Sequence, residues 1–397
     1  MKPLLYSVLP RPPHPSRDGL AIRNYHLLAA LAERFEVRAF ALLDPERSYG
    51  RGVLPAGVEV EWVPQRPRGA RRVAAAAGSL ATGRAYSQLL YRSPALARRI
   101  AEASAGRPPR WIVAHAYHVA PAALGAGAPV WVDFHNLDSE IWERMGESAS
   151  SMPRRLFVRA QAPRIRRLER VLVRRAAGIS CVSRRDGAAL EKLGAAQEPL
   201  VVPNGVDLER YAFRAGPAPH ERILFVGDLS WPPNAEGVRW FASRVWPLVR
   251  DRRPGASVEI LGRGAPADFL RLAGPGFEFV GEGDDTRPHW TSAAVGVVPL
   301  LAGGGTRLKI LEAAACGVPV VSTRVGAEGL AFEAGVEIRL HDEPDRFAEA
   351  VVGLLADREA ARRQAAAARA RVEVQYDWAL IGREFAGELA RRAAARA

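Results

Sequence analysis

Between positions 303 and 312 the chain reads Gly303-Gly304-Gly305-Thr306-Arg307-Leu308-Lys309-Ile310-Leu311-Glu312, which joins a flexible turn, a helix start and an acid. Glycine allows close backbone approach and positive φ, and the first N–H groups of a helix lack internal partners, so together they favour an anion. Thr306 is expected to cap the helix. Arg307 and Lys309 place positive charge where the helix dipole alone favours acids, a conflict of about a few tenths of a kcal/mol that a bound anion would reverse. Glu312 lies eight residues past Gly304, about two helical turns on, and is expected to face a sugar ring whose phosphates rest on the glycines. The stretch reads as a diphosphate cradle with a ribose-binding glutamate behind it. Many α/β proteins have a glycine-rich strand-to-helix turn without this role, so the surrounding elements have to carry the reading.

Upstream, Val295-Gly296-Val297-Val298-Pro299-Leu300 is a short apolar run of the kind that forms a strand buried on both faces. Downstream, Gly317 and Pro319 close the helix and lead into Val320-Val321-Ser322, another buried strand. The first half of the chain alternates in the same manner, with strands expected near 3–9, 37–43, 58–63, 111–114 and 130–134 and an amphipathic helix near 21–34. Such alternation means a parallel sheet with helices on both faces. Residues 66–109 are rich in Arg and Ala and carry several basic helical turns. A longer helix, about 153–177, mixes Arg154, Arg155 and Arg159 with Leu156, Val158 and Ile165; a solvated, core-packed helix is favoured over a membrane-surface one. After the strand at 200–202, Pro203-Asn204-Gly205 is a turn, and the run from Ala215 to His220 reads as a linker. A second set then begins, with strands at 222–226, 257–261 and 277–280, a helix near 234–250, and helical signals from about 344 to the end. Two doubly wound domains of this kind bind ligands at the carboxyl ends of their sheets.

The 397 residues exceed one ordinary core and fit two domains. A composition 48% hydrophobic and 25% charged excludes a disordered or fibrous chain. No apolar run has the length of a membrane span, and the apolar start is broken at once by Pro10, Pro12 and Pro13, unlike a signal peptide. Cys181 and Cys316 stand far apart in apolar segments, which argues against a disulfide framework or a zinc site and fits a reducing cytoplasm. The net charge of +13 comes with no nucleic-acid-binding signature, so an anionic membrane or a phosphate-bearing substrate is the expected partner and nucleic acid is not. With 53 arginines and three lysines the charge also reflects a bias toward Arg, which makes Lys309 stand out.

In this order the pieces resemble the GT-B glycosyltransferases, and within them glycosyltransferase family 4, the retaining, nucleotide-sugar-dependent group. The resemblance rests on Val202-Pro203-Asn204-Gly205-Val206-Asp207, on Phe225-Val226-Gly227-Asp228-Leu229 with Asn234, on the segment from Gly303 to Val321, and on Phe134-His135-Asn136 and the Gly19 loop. It implies two Rossmann-like domains facing a deep cleft: residues 1–205 on the acceptor side, 206–375 binding the nucleotide sugar, and 376–397, from Tyr376-Asp377-Trp378, crossing back to the first domain.

The resemblance also implies site roles. Gly19, Gly227, Gly303, Gly304, Gly305, Thr306, Leu308 and Glu312 would bind the donor, Glu312 through the ribose hydroxyls. His135 would hydrogen-bond the transferred sugar near its reacting carbon. Asn136 and Glu140 are acceptor-side candidates, and Asp138 is expected to cap the following helix. Two features depart from the family pattern. Its first glutamate falls on Gly304, and the basic pair common after the first strand of the second domain is absent from 227–234. Arg307 and Lys309 are therefore expected to neutralise the leaving diphosphate, joining His135 as catalytic residues. No metal and no cofactor is expected, since Asp284-Asp285 lacks a third ligand. The expected reaction moves a sugar, with retention, to a hydroxyl of a glycan or lipid-linked acceptor in cell-surface polysaccharide or glycolipid synthesis, in the cytoplasm or at the inner face of the membrane. A catalytically silent nucleotide-sugar binder is the alternative; an epimerase or a phosphorylase weighs about as much, and a nucleic-acid-binding protein less.

Overall fold

A computed structural model describes residues 2–44, 52–65, 69–148, 152–214, 218, 220–283, 285–303 and 307–396. The chain divides into two compact units, one built from residues up to Pro203 together with those from Ala379 onward, the other from Asn204–Trp378.

The first unit holds a seven-stranded sheet in the order β3-β2-β1-β4-β5-β6-β7. Its strands are β1 (Leu4–Leu9), β2 (Glu36–Leu43), β3 (Val58–Pro64), β4 (Trp111–His115), β5 (Val130–Phe134), β6 (Gly178–Cys181) and β7 (Leu200–Val201). Every pairing is parallel. Buried on both faces, β1, β4 and β5 are apolar almost throughout, as a parallel central strand requires. β6 escaped the sequence reading because it is short and follows the long helix Met152–Arg175 directly. Its glycine is needed for packing, since a Cβ at Gly178 would stand 2.2 Å from the Trp131 ring. The Arg- and Ala-rich region folds as three helices, Ala70–Thr82, Tyr86–Leu90 and Pro94–Gly106. The last helix, Trp378–Ala394, packs on this unit: Trp111 Nε1 donates to the Leu389 carbonyl at 3.1 Å. Gly382 faces Ala30, where a Cβ would come within 2.6 Å.

The second unit holds a six-stranded sheet in the order β10-β9-β8-β11-β12-β13, again all parallel. Its strands are β8 (Arg222–Val226), β9 (Ser257–Leu261), β10 (Phe277–Gly281), β11 (Val295–Val298), β12 (Val320–Ser322) and β13 (Arg339–Leu340). β11 stops at Val298, two residues earlier than expected, because Pro299 has no N–H for the ladder. The helix expected near 234–250 is instead Pro232–Trp240, a π-helical turn Phe241–Val245, and Trp246–Arg252. Pro247 stands two residues past that turn; it cannot donate to an α-helical ladder and the wider turn accommodates it. Val206 pairs with Asp377, its N–H reaching the Tyr376 carbonyl at 2.7 Å, so the Pro203–Asp207 turn and the Tyr376–Trp378 segment are stitched together. Of the expected linker, 215–217 and 219 lie outside the described residues. Among the described residues no helix is long and apolar enough to cross a membrane.

Candidate functional site

In the second unit, β11 delivers the chain to Gly303, which is buried with φ of 125°, a conformation that glycine adopts without strain. A Cβ there would lie 2.7 Å from Nη2 of Arg307, so the glycine makes room for that guanidinium. Gly304, Gly305 and Thr306 lie outside the described residues. The helix that follows is Leu308–Ala315, with Arg307 in the N-cap position and no side-chain cap. This corrects the expected Thr306 cap. It also corrects the spacing: Glu312 stands four residues past the first helical residue, just over one turn into the helix. Leu308 packs against the core and offers a ligand its backbone N–H alone.

Lys309 lies where two elements meet. Its ammonium donates to Asn234 Oδ1 at 3.1 Å and sits 3.9 Å from the centroid of the Phe225 ring. A Cβ on Gly227 would approach the ammonium to 2.7 Å, so only glycine leaves it space at the end of β8. Asn234 is fixed in turn by its amide, which donates to the Asp228 carbonyl at 2.8 Å. Burial holds the lysine well below its usual pKa range; Arg307 adds to that and Glu312 opposes it. Arg263, which the sequence reading passed over, is paired with Asp228 at 2.9 Å.

Glu312 faces a different set of groups. Its Oε2 accepts from Trp290 Nε1 at 3.0 Å and from Thr286 Oγ1 at 3.3 Å, and the Tyr211 hydroxyl stands 3.0 Å from the same threonine. Burial raises its carboxyl pKa, while these donors and Lys309 pull the other way. Trp290, Thr286 and Tyr211 were not anticipated, because they are distant in sequence and belong to no motif.

In the first unit, His135 follows β5 directly, with Nε2 3.2 Å from Asp133 Oδ2. Asp133 is fully buried and bridged by Arg23, also fully buried, through Nε at 2.9 Å and Nη2 at 2.7 Å. Ser180 donates to the same carboxylate at 2.7 Å. Burial alone would raise the Asp133 pKa, but Arg23 and the neighbouring histidines hold it well below the usual range. Burial pushes His135 down to about 4, against the pull of Asp133, so its imidazole is neutral at neutral pH. His115, Asp133 and His135 bring ligand atoms within 4.8 Å of one another. That trio suits a cation poorly, since Arg23 already spans both Asp133 oxygens with its own charge. The signal for this network was an acid within the apolar strand Val130–Phe134, two residues before His135.

The remaining candidates are placed as follows. Gly19 opens the helix Gly19–Arg34 rather than standing in a free loop; Asp18 caps it by accepting from the Ala21 N–H at 3.1 Å. Asn136 lies between β5 and the helix Asp138–Ser148. Glu140 accepts from Arg185 at 2.6 Å. Asp138 is the first residue of its helix and not its cap, and burial raises its pKa to about 6, opposed by a hydrogen bond from Tyr117.

Two family models match this chain. The model for the glycosyl transferase 4-like domain covers residues 18–205, and that for glycosyl transferases group 1 covers residues 220–357. The glycogen synthase of Mycobacterium tuberculosis strain H37Rv is 32% identical over 202 residues, 46% of this chain and 46% of that protein. The chain thus spans about half the length of the curated relatives it matches. Sucrose-phosphate synthase from Thermosynechococcus elongatus has a similar fold, with a TM-score of 0.73 at 19% identity over 99% of this chain and 100% of that one. Anabaena Alr3699/HepE, solved with UDP and glucose, gives a TM-score of 0.67 at 17% identity over 98% of this chain and 100% of that one. Taken with the two doubly wound parallel sheets, these matches identify the chain as a member of the GT-B glycosyltransferases of family 4, the group 1 glycosyl transferases.

Proposed function

We propose that this protein is a retaining glycosyltransferase of EC class 2.4, which moves a sugar from a nucleoside diphosphate to a hydroxyl of a glycan or lipid-linked acceptor. The observation that carries this reading is the convergence in the second unit of a half-buried carboxylate, Glu312, and a half-buried ammonium, Lys309, three residues apart on one face of the same helix, with Gly227 against the lysine and Gly303 against Arg307. A nucleoside diphosphate satisfies both: its ribose hydroxyls donate to the carboxylate, and its phosphates return charge to a desolvated ammonium. HepE was solved with UDP and with UDP-glucose, which makes UDP the first nucleotide to test.

In the proposed reaction the C–O bond to the diphosphate breaks and its negative charge is taken up by Lys309, Arg307 and the N–H groups at the start of the helix. Neither a metal nor a cofactor enters. The acceptor hydroxyl attacks from the face the diphosphate leaves, giving up its proton to the departing phosphate, and the anomeric configuration is retained. A neutral His135, oriented by Asp133, serves as hydrogen-bonding partner of the transferred sugar. A pocket in the first unit lined by Arg11, His14, Arg17, Gln65 and Tyr91 offers polar groups for an acceptor. The product belongs to cell-surface polysaccharide or glycolipid synthesis, made in the cytoplasm with peripheral contact to the inner leaflet.

The test is the thermal shift of the purified protein with UDP, GDP, ADP, dTDP and their sugars, wild type against Glu312→Ala. A shift selective for one base and lost in the variant is expected. No shift with any nucleotide would sink the reading.

A further inference from the structure

Five large apolar side chains stand more than three-fifths exposed among the described residues, and four of them belong to two helices of the first unit: Val73 at 71%, Leu80 at 64%, Met152 at 64% and Leu156 at 63%. The helix Ala70–Thr82 is inverted relative to a core helix. Its buried positions include Ala75 and Ser79, whereas Val73, Ala77 and Leu80, at the three- and four-residue spacing of one helical face, point to solvent. The side that packs inward is polar: Gln161 Nε2 donates to Ser79 Oγ at 3.1 Å, and Arg164 Nη1 reaches the same oxygen at 3.3 Å. Those two partners belong to the helix Met152–Arg175, which exposes Met152 and Leu156 in its first turns. The two helices are therefore neighbours; the first leaves its largest apolar groups, Val73 and Leu80, in water, and the second does so only in its first turns, at Met152 and Leu156.

Charge within the sequence of these two helices is one-sided, although Arg166 is paired with Glu143 of the neighbouring helix Asp138–Ser148. Residues 62–101 contain eight arginines and no acid, and residues 148–168 contain six arginines and no acid. Arg72, Arg154 and Arg159 are exposed beside the apolar positions. An apolar row edged by arginines matches the boundary between lipid headgroups and acyl chains, where aliphatic groups insert and guanidiniums meet phosphates. A protein partner or a second copy of this chain would have to bring an acidic rim to balance the same charge, and this chain carries +13 overall.

We infer that the exposed faces of the helices Ala70–Thr82 and Met152–Arg175 together form a docking surface for an anionic lipid bilayer. This gives a location to the membrane contact of the proposed function and rests on that reading. The sequence expectation that 153–177 is a solvated helix packed on the core holds for its buried row, including Ile165, Leu168 and Leu172, and this inference concerns its first turns. Insertion of Val73 and Leu80 would hold a lipid-linked acceptor's membrane and the first unit together without a spanning segment.

The experiment is co-sedimentation of the full chain with vesicles of phosphatidylcholine alone and of phosphatidylcholine mixed with phosphatidylglycerol, at low and high salt, for wild type and Val73→Ser/Leu80→Ser. Wild type is expected to bind only the anionic vesicles and to release at high salt. The double variant is expected to bind about tenfold more weakly or worse while keeping its melting temperature and its UDP shift. Failure of wild type to bind anionic vesicles overturns the inference, as does unchanged binding by the variant. So does a wild-type dimer in sedimentation velocity that the variant converts to monomer, because a second copy would then cover the face. Vesicle binding that depends on Val73 and Leu80, in a protein that no nucleotide stabilises, would keep the surface and remove the transferase reading.

Discussion

Trp290 donates its indole N–H to the Glu312 carboxylate across 3.0 Å, and the tryptophan is fully buried. An indole N–H has one direction and no acceptor capacity, so it fixes the carboxylate oxygen it holds. Thr286 adds a second donor to the oxygen Trp290 already holds. In the proposed function the carboxylate is thereby set in place before any sugar arrives, so that ribose binding would not have to order it.

Replacing Trp290 with Phe keeps most of the ring volume and deletes that donor. Titration calorimetry with UDP should give a dissociation constant raised about fivefold to tenfold, corresponding to about 1 kcal/mol for one hydrogen bond to a charged group. Glu312→Ala should cost more. If Trp290→Phe binds UDP as wild type does while Glu312→Ala does not, the indole has no positioning role.

Lys309 yields a prediction about protons. Because burial depresses its pKa, a diphosphate that arrives beside it raises the pKa again and draws a proton from solvent. Donor affinity should fall as pH rises through the depressed value of the free protein. Above that value, the binding enthalpy should vary with the ionisation enthalpy of the buffer. Lys309→Met should abolish the buffer dependence, weaken the donor and leave the melting temperature unchanged or higher, since a desolvated ionisable group is replaced by an apolar one. Buffer dependence that persists in the variant would assign the proton to another group.

Gly227→Ala tests the same spot from the other side. The added methyl would stand 2.7 Å from the Lys309 ammonium and 2.9 Å from the Asn234 amide nitrogen, so one of them must move. Turnover should drop by more than tenfold with melting nearly unchanged, because the displaced groups are the flexible ends of side chains. Wild-type turnover in Gly227→Ala would mean that the lysine's position is not critical.

The strands were legible because parallel sheets impose an unmistakable pattern: Val130–Phe134, Arg222–Val226 and Ser257–Leu261 are apolar runs bounded by polar or turn-forming residues, and each strand has those bounds. Glycine-marked turns were legible for a similar reason, since Gly227 and Gly303 sit where a side chain would collide. The partners of the site residues were hidden. Arg23 and Asp133 are 110 residues apart, as are Tyr211 and Thr286 by 75, and pairings at that separation leave no mark on local spacing. Start points of helices were the weakest, as the displacement from Thr306 to Arg307 shows, because capping is decided by a few backbone angles.

Arg23→Gln should be among the most damaging single changes in the first unit. It leaves the Asp133 carboxylate fully buried without its counter-ion, a loss of about 3–5 kcal/mol. Denaturant unfolding should show it, and Ser180→Ala should cost only about 1 kcal/mol in the same assay. If the two variants were equally mild, Asp133 would have to be protonated and neutral in the folded protein, contrary to the charge assigned here.

Two buried groups of the first unit titrate in opposite senses, and each can be isolated. Burial raises the Glu169 pKa to about 7, although Ser139 donates both its N–H and its hydroxyl to the carboxylate. The folded state therefore keeps a proton that the unfolded chain has already lost above about pH 4.3. Relative to Glu169→Gln, the wild type should lose stability as pH rises from about 4.3 to about 7, by about 3 kcal/mol in total. His135 behaves in reverse. Its folded pKa of about 4 lies below the unfolded value near 6.5, so relative to His135→Gln the wild type should lose a similar amount as pH falls through that window. In wild type the two slopes oppose each other between about pH 4.3 and 6.5, and its stability curve alone would conceal both. Urea unfolding of the three proteins across this range separates them. Parallel curves for wild type and Glu169→Gln would mean that the carboxyl is ionised alike in both states and that the burial assigned to it is wrong.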